Sequence, residues 1–360
     1  MKRIERLRPL LPAAGVVLCA WLCGFSLSTL LERGGEMGQI LGKLFPADLG
    51  YLFKVLPPLL ETLRMSLLGT AVGAVLALPL TGLCSRCASG HPRMAAVLRS
   101  IIHLLRAIPV LVVALLCSFV WGTGSFAGAF AIALYSLGLL ARMGWEAVEH
   151  GDLRPMEVLC AAGCGRWRAF WRACLPQVLP GYLSDVLYVL EANVRHAAIL
   201  GYVGAGGLGI LLNEKIAWRE WSRVGTILLL LYLVVFAVET LSSWLRRLLE
   251  GKVRLSRNSC RCLWCLTALA LVWSAATIAP PSVTVGGLKV FRGILSGLLH
   301  PDWSLLWNFT KKGVPYLCLE TLAMTVAGTA IGAAVSVPIA MLGSRNISGP
   351  WWAGIWKLLL

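Results

Sequence analysis

Acidic, basic and aromatic side chains stand close together in residues 152–180, a polar segment between two long apolar runs. Its first part contains Pro155 and Glu157, and its second part mixes arginines with aromatic residues. These are Arg166, Trp167, Arg168, Phe170, Trp171 and Arg172. Guanidinium groups and aromatic rings bind acidic or apolar surfaces. The chemistry that the segment suits is therefore recognition of a partner.

Local sequence rules predict how this segment folds. Proline suits the first turn of a helix, so Pro155 predicts a helix start. Gly163 can adopt the left-handed conformation that ends such a helix, and a second short helix is expected after it. Together they would make residues 152–180 a compact knob that seats in a groove on a soluble partner. A basic amphipathic helix lying on anionic lipid is the alternative, and the residues alone do not choose between the two.

The composition places these residues in a membrane protein. Hydrophobic residues make up 58% of the 360-residue chain, charged residues make up 14%, and the mean hydropathy is +0.76. Because soluble domains of this length lack such values, we expect an all-α, polytopic helical membrane protein. The net charge of +16 would suit nucleic acid, but the basic residues sit in clusters between apolar spans. We therefore expect the lipid bilayer, and no nucleic acid, as a partner.

The cysteines do not form a recognisable metal site. Most of the 12 cysteines lie in apolar spans, where cysteine behaves as a small hydrophobic residue. Cys84 and Cys87 belong to one connection, whereas Cys260, Cys262 and Cys265 belong to another. A zinc site needs four well-placed ligands, so no metal is expected.

Apolar runs mark the expected membrane helices. They are Leu10–Leu31, Met65–Ser85, Ala107–Ala141 (split by a turn at Trp121–Ser125), Gly181–Val203, Val224–Leu245, Leu263–Ala279 and Leu322–Gly343. Lys and Arg cluster at the N-terminus, after the second run, in residues 152–180 and after Leu245. Because cytoplasmic loops carry the excess of basic residues, these connections are predicted to be cytoplasmic. We expect a multi-pass membrane protein with a cytoplasmic N-terminus.

Two stretches of the chain repeat each other. Residues 61–86 and 320–345 are identical at 13 of 26 positions without a gap. The shared residues include Glu, Thr, Pro and Arg, which two unrelated membrane helices would not share. We interpret this as the duplication of a unit of roughly 250 residues. Residues 1–255 would be a complete unit of about six membrane helices, and residues 256–360 a partial second unit of about two helices and the start of a third.

The spacing within residues 146–180 resembles the cytoplasmic coupling loop of ABC-importer permeases, E-A-A-x3-G-x9-I-x-L-P. The matching residues are Glu157, Gly163, Leu175 and Pro176. The residues that depart from the pattern are Val158, Leu159 and Ala173. The resemblance implies a type I ABC-importer permease bundle, in which the matching residues and Arg166 couple the bundle to an ATPase.

Residues 188–209 resemble, more narrowly, the segment that follows the coupling loop in phosphonate-type permeases. The matching residues are Glu191, Asn193, Arg195, Gly201, Gly204, Gly206, Gly207 and Gly209. Arg106 and Pro109 also look like that family's third helix, although Val110 stands where its members usually carry a glutamate. The resemblance implies a translocation path or gate formed by Arg106, Pro109, Glu191, Asn193, Arg195, Gly204, Gly206 and Gly207.

The spacing of Glu191 and Arg195 allows two interpretations. Four residues apart on a helix, the two side chains can form an ion pair that fixes helix packing. Alternatively, Arg195 borders the path of an anionic substrate, since ionisable groups at membrane depth usually face a bundle interior or an aqueous path.

The resemblance implies a permease subunit of a binding-protein-dependent importer for a phosphonate or related phosphorus oxyanion, and not an enzyme. It also implies that the chain lies in a bacterial inner membrane. The chain has no G-x4-G-K-[ST] loop, so a cytoplasmic ABC ATPase dimer is expected to bind ATP and Mg, with no cofactor in this chain. The other implied partners are an extracytoplasmic solute-binding protein and a second permease copy or missing second half. Phosphate, phosphite or methionine remain alternative substrates. A non-transport membrane assembly protein is the alternative from another class.

Overall fold

The computed structural model describes residues 10–252, 256–278, 285–300, 303–310 and 313–344. These residues form helices and connections without a strand, which confirms the all-α fold class. The N-terminal residues 1–9 lie outside this part, as do Ala279 and residues 345–360, the end of the predicted second unit. The chain divides into two compact units, Ile40–Ser296 and the pair Met1–Gln39 with Gly297–Leu360.

The first eight helices end with α8, the first helix of the knob. They are α1 (Leu10–Leu22), α2 (Leu27–Leu44), α3 (Leu52–Cys84), α4 (Arg86–Ser89), α5 (Pro92–Ala107), α6 (Val110–Trp121), α7 (Ser125–His150) and α8 (Arg154–Ala161). The remaining helices are α9 (Arg166–Ala169), α10 (Leu175–Leu200), α11 (Leu208–Ala217), α12 (Trp221–Leu249), α13 (Arg257–Thr277), α14 (Val285–Leu299), α15 (Trp303–Leu306) and α16 (Val314–Gly343).

Several of these helices are long and apolar enough to cross a membrane. Five spans qualify among the described residues: Leu49–Cys84, Ser125–His150, Arg166–Val203, Trp221–Leu249 and Val314–Gly343. The bent pair of α5 and α6 makes a sixth if it is one span. The prediction of a multi-pass helical protein is therefore confirmed. The predicted span Leu263–Ala279 corresponds to α13, whose apolar part, Trp264–Thr277, is shorter.

The predicted first span, Leu10–Leu31, is not one helix. α1 ends at Leu22 and α2 begins at Leu27. Between them Gly24 has φ +66°, a left-handed conformation that ends helices and that glycine adopts without strain. A search for apolar runs does not detect a glycine stop.

The long run Ala107–Ala141 is divided once, and a second break lies at its start. The turn predicted at Trp121–Ser125 is confirmed, because α6 ends at Trp121 and α7 begins at Ser125. The second break was not predicted: α5 and α6 meet at 83° around Pro109. Ile108, the residue before this proline, has the extended angles φ −82° and ψ 122°, as expected for a residue in that position.

Small residues bring the two central helices of the larger unit into close contact. At Gly69 of α3, an added Cβ would lie 2.6 Å from the carbonyl oxygen of Ala129 in α7, and at Gly73 it would lie 2.7 Å from that of Ala133. Such approach of helix backbones is typical of membrane bundles, where packing replaces the hydrophobic driving force. The knob and α10 both pack against these two helices.

In the other unit, α1 packs against α16. The thiol of Cys23 lies 4.0 Å from the carbonyl oxygen of Glu320, and Ala323 and Ala327 of α16 are buried.

Candidate functional site

The first half of the knob folds as its sequence predicts. α8 begins at Arg154, whose N–H donates to Asp152 Oδ1 at 3.0 Å, and Pro155 lies in its first turn. Gly163 has φ +86°. The N–H of Gly163 donates to the carbonyl of Cys160, and the N–H of Cys164 donates to that of Leu159. This pair of bonds is the Schellman arrangement that satisfies the last carbonyls of a helix.

The second half of the knob differs from its prediction. α9 is followed directly by a π-helical turn, Phe170–Cys174, which leads into α10 without a break. The predicted separate second short helix is therefore wrong. Pro176 lies in the first turn of α10, and a proline ring clashes with the carbonyl four residues earlier in a regular helix. We interpret the wider turn as the local solution to that clash.

One face of the knob is buried against the ends of α3 and α7. Phe170 is completely buried, and an added Cβ on Gly82 of α3 would lie 2.7 Å from its ring. The buried residues around this ring are Ala88, Val148, Met156, Ala169, Ala173, Cys174 and Leu175. Of the predicted coupling residues, Leu175 thus belongs to the packed face.

The other predicted coupling residues lie on the solvent face: Glu157, Gly163, Arg166 and Pro176 are all exposed. Trp167 and Trp171 retain 41% and 38% of their surface beside them. Tryptophans this exposed above a buried phenylalanine are typical of contact surfaces, where aromatic residues are enriched. The exposed face of the knob therefore carries an acidic side chain, a basic side chain and two tryptophans, while its opposite face is packed against the bundle.

An ion pair that the sequence did not indicate supports the base of the knob. Arg99 of α5 pairs with Glu149 of α7, and the same carboxylate accepts the backbone N–H of Arg86 at 3.0 Å. Arg99 also donates to the carbonyl of Cys84 at 2.7 Å. These bonds join the ends of α3 and α7 to the middle of α5 beneath the knob.

Asn193, a predicted gate residue, lies inside the bundle with no exposed surface. Its amide nitrogen donates to the hydroxyls of Thr70 in α3 and Ser136 in α7, at 2.8 and 2.7 Å. Ser66 donates to its backbone carbonyl at 3.3 Å. The amide oxygen Oδ1 has no hydrogen-bond partner within the described residues. Asn193 thus connects α10 to both central helices.

Glu191 accepts from two arginines. Its carboxylate lies 3.2 Å from Arg195, as the helical spacing predicts, and 3.4 Å from Arg246 of α12. The Glu191 side chain is 9% exposed, whereas that of Arg195 is 47% exposed. The predicted ion pair is therefore present, and the side chain of Arg195 keeps about half of its surface exposed. Arg246 is 55 residues away in sequence, so spacing could not reveal its part in the cluster.

The glycine-rich connection after α10 packs on α3 and on the turn before α7. Gly204, Gly206 and Gly207 all have positive φ, between +74° and +85°. An added Cβ on Gly206 would lie 2.8 Å from Glu61 Oε1 and 2.8 Å from the nitrogen of Ser125. The N–H of Leu208 donates to Thr62 Oγ1 at 2.8 Å. The connection between α10 and α11 thus packs closely against α3 and the turn before α7.

Arg106 and Pro109 stand at the elbow between α5 and α6. The stem of Arg106 lies against Gly138 of α7, where an added Cβ would be 2.8 Å from Arg106 Cγ. Pro109 is exposed. The structure therefore places Arg106 against α7 and leaves Pro109 exposed at the elbow, whereas Glu191, Asn193 and Arg195 share α10.

A second charged cluster surrounds the start of α12. Lys215 pairs with Glu214 and Glu220 at 2.9 and 3.3 Å, and Arg223 pairs with Glu220 and Asp48 at 2.7 and 3.8 Å. The hydrogen bond from Arg223 lowers the pKa of the Glu220 carboxyl, and the bond to Glu214 raises the pKa of the Lys215 ammonium. The described residues hold no group of three or more His, Cys, Asp or Glu side chains that could bind a metal.

Comparison of the sequence with known proteins finds transport proteins. Residues 77–255 match the family described as "Binding-protein-dependent transport system inner membrane component". The phosphate-import permease protein PhnE of Mycolicibacterium smegmatis is 29% identical over 357 residues, which cover 96% of this chain and 66% of that protein. The phosphite transport system permease protein PtxC of Stutzerimonas stutzeri is 33% identical over 235 residues, 65% of this chain and 86% of that protein.

A solved structure resembles the chain as well. One chain of an inward-facing MetNI methionine ABC transporter aligns with a TM-score of 0.50 and 22% identity, over 56% of this chain and 99% of that chain. At this identity the likeness concerns the fold. It confirms the predicted permease bundle as the architecture that carries the knob, α10 and the glycine-rich connection.

Proposed function

The chain belongs to the family of binding-protein-dependent transport system inner membrane components, and from this membership we propose that it forms the translocation pathway of an ABC importer for a phosphonate or related phosphorus oxyanion. Membership of a transport family argues against the alternative of a non-transport membrane assembly protein. Because the chain spans only 66% of the length of the M. smegmatis relative, its partners are part of the proposal.

The observation that carries the proposal is the two-sided knob. Its inner side is fixed by Phe170 and Leu175, while Glu157, Arg166 and two tryptophans face solvent. A rigid projection with mixed charge and aromatic surface suits a groove on a protein better than a flat lipid surface. We propose that this groove belongs to a cytoplasmic ABC ATPase dimer that binds ATP and Mg.

α10 connects the knob with the proposed gate. The helix runs without interruption from Leu175 to Leu200, so Glu191 lies roughly 24 Å along its axis from Leu175 at 1.5 Å per residue. Movement of the knob would therefore move Glu191, Asn193 and the glycine-rich connection as one body. Closure of the ATPase dimer would thereby switch the bundle between inward-open and outward-open states, as in other hinge and shear transitions.

The charges near the gate favour an oxyanion as substrate. Arg195 and Arg246 carry two positive charges around a single carboxylate, and guanidinium groups bind phosphorus oxyanions through charge-assisted hydrogen bonds. The relatives named above are permeases for phosphate and phosphite. Phosphate and phosphite therefore stay as alternative substrates of the same chemical class, and methionine is the contrasting case for the test below.

The proposed assembly needs partners on both sides of the membrane. A solute-binding protein would deliver the oxyanion from outside, and the N-terminus and the knob would lie in the cytoplasm. Residues 1–255 would supply one complete permease unit and residues 256–360 part of a second. A second permease unit would complete the pathway.

Uptake into membrane vesicles tests the proposal. Vesicles would contain this chain, its ATPase and its binding protein, and would be offered radiolabelled alkylphosphonate, phosphite, phosphate and methionine separately. We expect ATP-dependent uptake of a phosphorus oxyanion and none of methionine. Vesicles without ATP and vesicles without binding protein are the controls. Methionine uptake without oxyanion uptake would contradict the substrate, and uptake independent of ATP would contradict the mechanism.

A further inference from the structure

One face of α10 stays exposed while its other faces are packed against α3, α7 and α12. From Tyr182 to Leu200, a segment that the structure describes throughout, the exposed residues are Tyr188, Arg195 and Ile199. They are seven and four residues apart, so they follow one another along a single side of the helix. Asp185 stands three residues before Tyr188 and is partly buried. These four residues form what we call the open face of α10.

The composition of the open face does not suit lipid. On α12, by comparison, the exposed residues include Leu228, Leu229 and Leu233, as expected of a surface that contacts lipid chains. The open face of α10 instead carries the carboxylate of Asp185 and the guanidinium of Arg195. Ionisable groups at membrane depth are costly in lipid and normally face an aqueous path or the interior of a bundle. The open face therefore suits water better than lipid chains.

The two charged residues of the open face differ in their partners. Arg195 pairs with Glu191, whose second partner is Arg246. Asp185 forms neither an ion pair nor a hydrogen bond with the described residues. A carboxylate that stabilises the packing of a bundle needs a paired cation or donors, because taking an unpaired charge out of water is costly. The role of Asp185 is therefore better sought in the path than in the packing.

The same two residues lie at different distances from the knob. Asp185 is ten residues closer to it than Arg195, which is roughly 15 Å along a helix that rises 1.5 Å per residue. In an aqueous path, charges are screened over about 8 Å at physiological ionic strength. An anion next to Asp185 is thus repelled by the carboxylate without a compensating attraction to Arg195. An anion at the level of Arg195 is attracted.

We propose that Asp185 is a specificity-determining residue of the translocation path, and that its carboxylate excludes phosphorus oxyanions from the half of the path next to the knob. The inference rests on the proposed function, because it takes the open face of α10 as a wall of that path. The proposed ATPase would release inorganic phosphate beside the knob with every ATP that it hydrolyses. Asp185 would keep this phosphate from entering the path from the cytoplasm. An imported oxyanion that reaches the same carboxylate would be released and not retained.

The electrostatic effect of Asp185 can be measured without transport. In the full-length chain without its native cysteines, Tyr188→Cys places a thiol about one helical turn from Asp185. Inside-out membrane vesicles would be treated with a cationic and an anionic methanethiosulfonate of similar size. We expect the thiol to react with both reagents. Adding Asp185→Asn should lower the ratio of the cationic to the anionic reaction rate by about tenfold, whereas Asp185→Glu should preserve this ratio.

Two controls make this measurement specific. Leu233→Cys replaces a residue of α12 with the same exposed fraction as Tyr188, 51%, and should react with neither reagent. Glu239→Gln removes an exposed carboxylate from α12 and should leave the ratio at Tyr188→Cys unchanged. Absence of reaction at Tyr188→Cys would mean that lipid or a second permease unit covers the open face, and would overturn the proposal. A ratio that does not respond to Asp185→Asn would overturn it as well.

Uptake measures the consequence in chains that keep their cysteines. Right-side-out vesicles would contain this chain and its ATPase, with ATP and increasing inorganic phosphate trapped inside. They would be offered radiolabelled methylphosphonate and the binding protein outside. We expect internal phosphate to inhibit uptake by the Asp185→Asn variant at a concentration about three- to tenfold lower than for the unmodified chain. ATP hydrolysis in the same vesicles controls for inhibition of the ATPase by phosphate.

The outcomes separate the two proposals. Equal inhibition of the unmodified chain and the Asp185→Asn variant would refute the role of Asp185 while leaving the importer intact. If the unmodified chain took up no oxyanion at all, the proposed function would fail, and the reaction of the Tyr188→Cys thiol would still decide whether Asp185 repels anions at the open face.

Discussion

Phe170 in the knob packs against Gly82 of α3 so closely that a Cβ on the glycine would lie 2.7 Å from the ring. Gly82→Val should therefore displace the knob. Overpacking of this kind costs about 1–3 kcal/mol, and here the side chain that must move is the base of the proposed docking surface. We expect the ATPase to co-purify less and uptake to fall by about tenfold or more, with normal membrane insertion.

Two further variants make this test specific. Gly165→Ala is the matched control, because Gly165 lies in the same knob, has φ −61° and has no atom within 4 Å of an added Cβ. We expect it to behave as the unmodified chain. Phe170→Leu in the Gly82→Val background restores space and should recover part of the ATPase binding. Equal effects of Gly82→Val and Gly165→Ala would contradict the role assigned to this contact.

The exposed carboxylate of Glu157 is predicted to contact the ATPase. Reversing its charge with Glu157→Lys places like charges together at the interface, and such juxtaposition costs several kcal/mol. We expect binding of the purified ATPase to weaken by about tenfold or more and uptake to fall accordingly. Glu36→Lys, an exposed charge reversal in α2, is the control for the change in net charge. Normal ATPase binding by the Glu157→Lys variant would count against the docking surface.

The two arginines beside Glu191 are expected to have different roles, Arg246 in stability and Arg195 in uptake. Arg246→Ala removes one of the two cations beside a carboxylate that is 9% exposed, so it should lower thermal stability. Adding Glu191→Gln should restore stability, because a neutral amide does not need a cation. Arg195→Ala should instead raise the KM for oxyanion uptake, since Arg195 retains 47% of its surface. Thermal unfolding and uptake kinetics separate the two effects. If Arg195→Ala changed stability alone, Arg195 would be a structural partner and not part of the path.

Local rules were sufficient for much of the fold and part of the site. Composition indicated membrane helices, proline and glycine positions indicated the start and stop of α8, and the i,i+4 spacing indicated the pair of Glu191 with Arg195. Each of these inferences concerns residues within one or two helical turns of each other. The roles of the predicted residues in coupling and gating remain predictions.

The features that the sequence did not indicate join residues far apart in the chain. Arg246 reaches Glu191 across 55 residues, and Asn193 reaches Thr70 across 123. The elbow at Pro109 was not predicted, because hydropathy does not report helix direction. A proline within an apolar run was the available signal, and it indicated a break that we did not predict.

Asn193 provides the last prediction, because it connects three helices through one side chain. Asn193→Leu keeps the volume approximately but leaves the hydroxyls of Thr70 and Ser136 without their donor. Leaving a buried polar group unsatisfied costs about 1–3 kcal/mol. Thr70 still donates to the carbonyl of Ser66 at 2.6 Å, so Ser136 should account for more of the loss. We therefore expect Ser136→Ala to restore part of the thermal stability of the Asn193→Leu variant. Ser184→Ala, an exposed hydroxyl on the same helix, should leave stability unchanged. If Ser136→Ala lowered the stability of the Asn193→Leu variant further, the hydrogen bond between the two side chains would not be what holds α10 to α7.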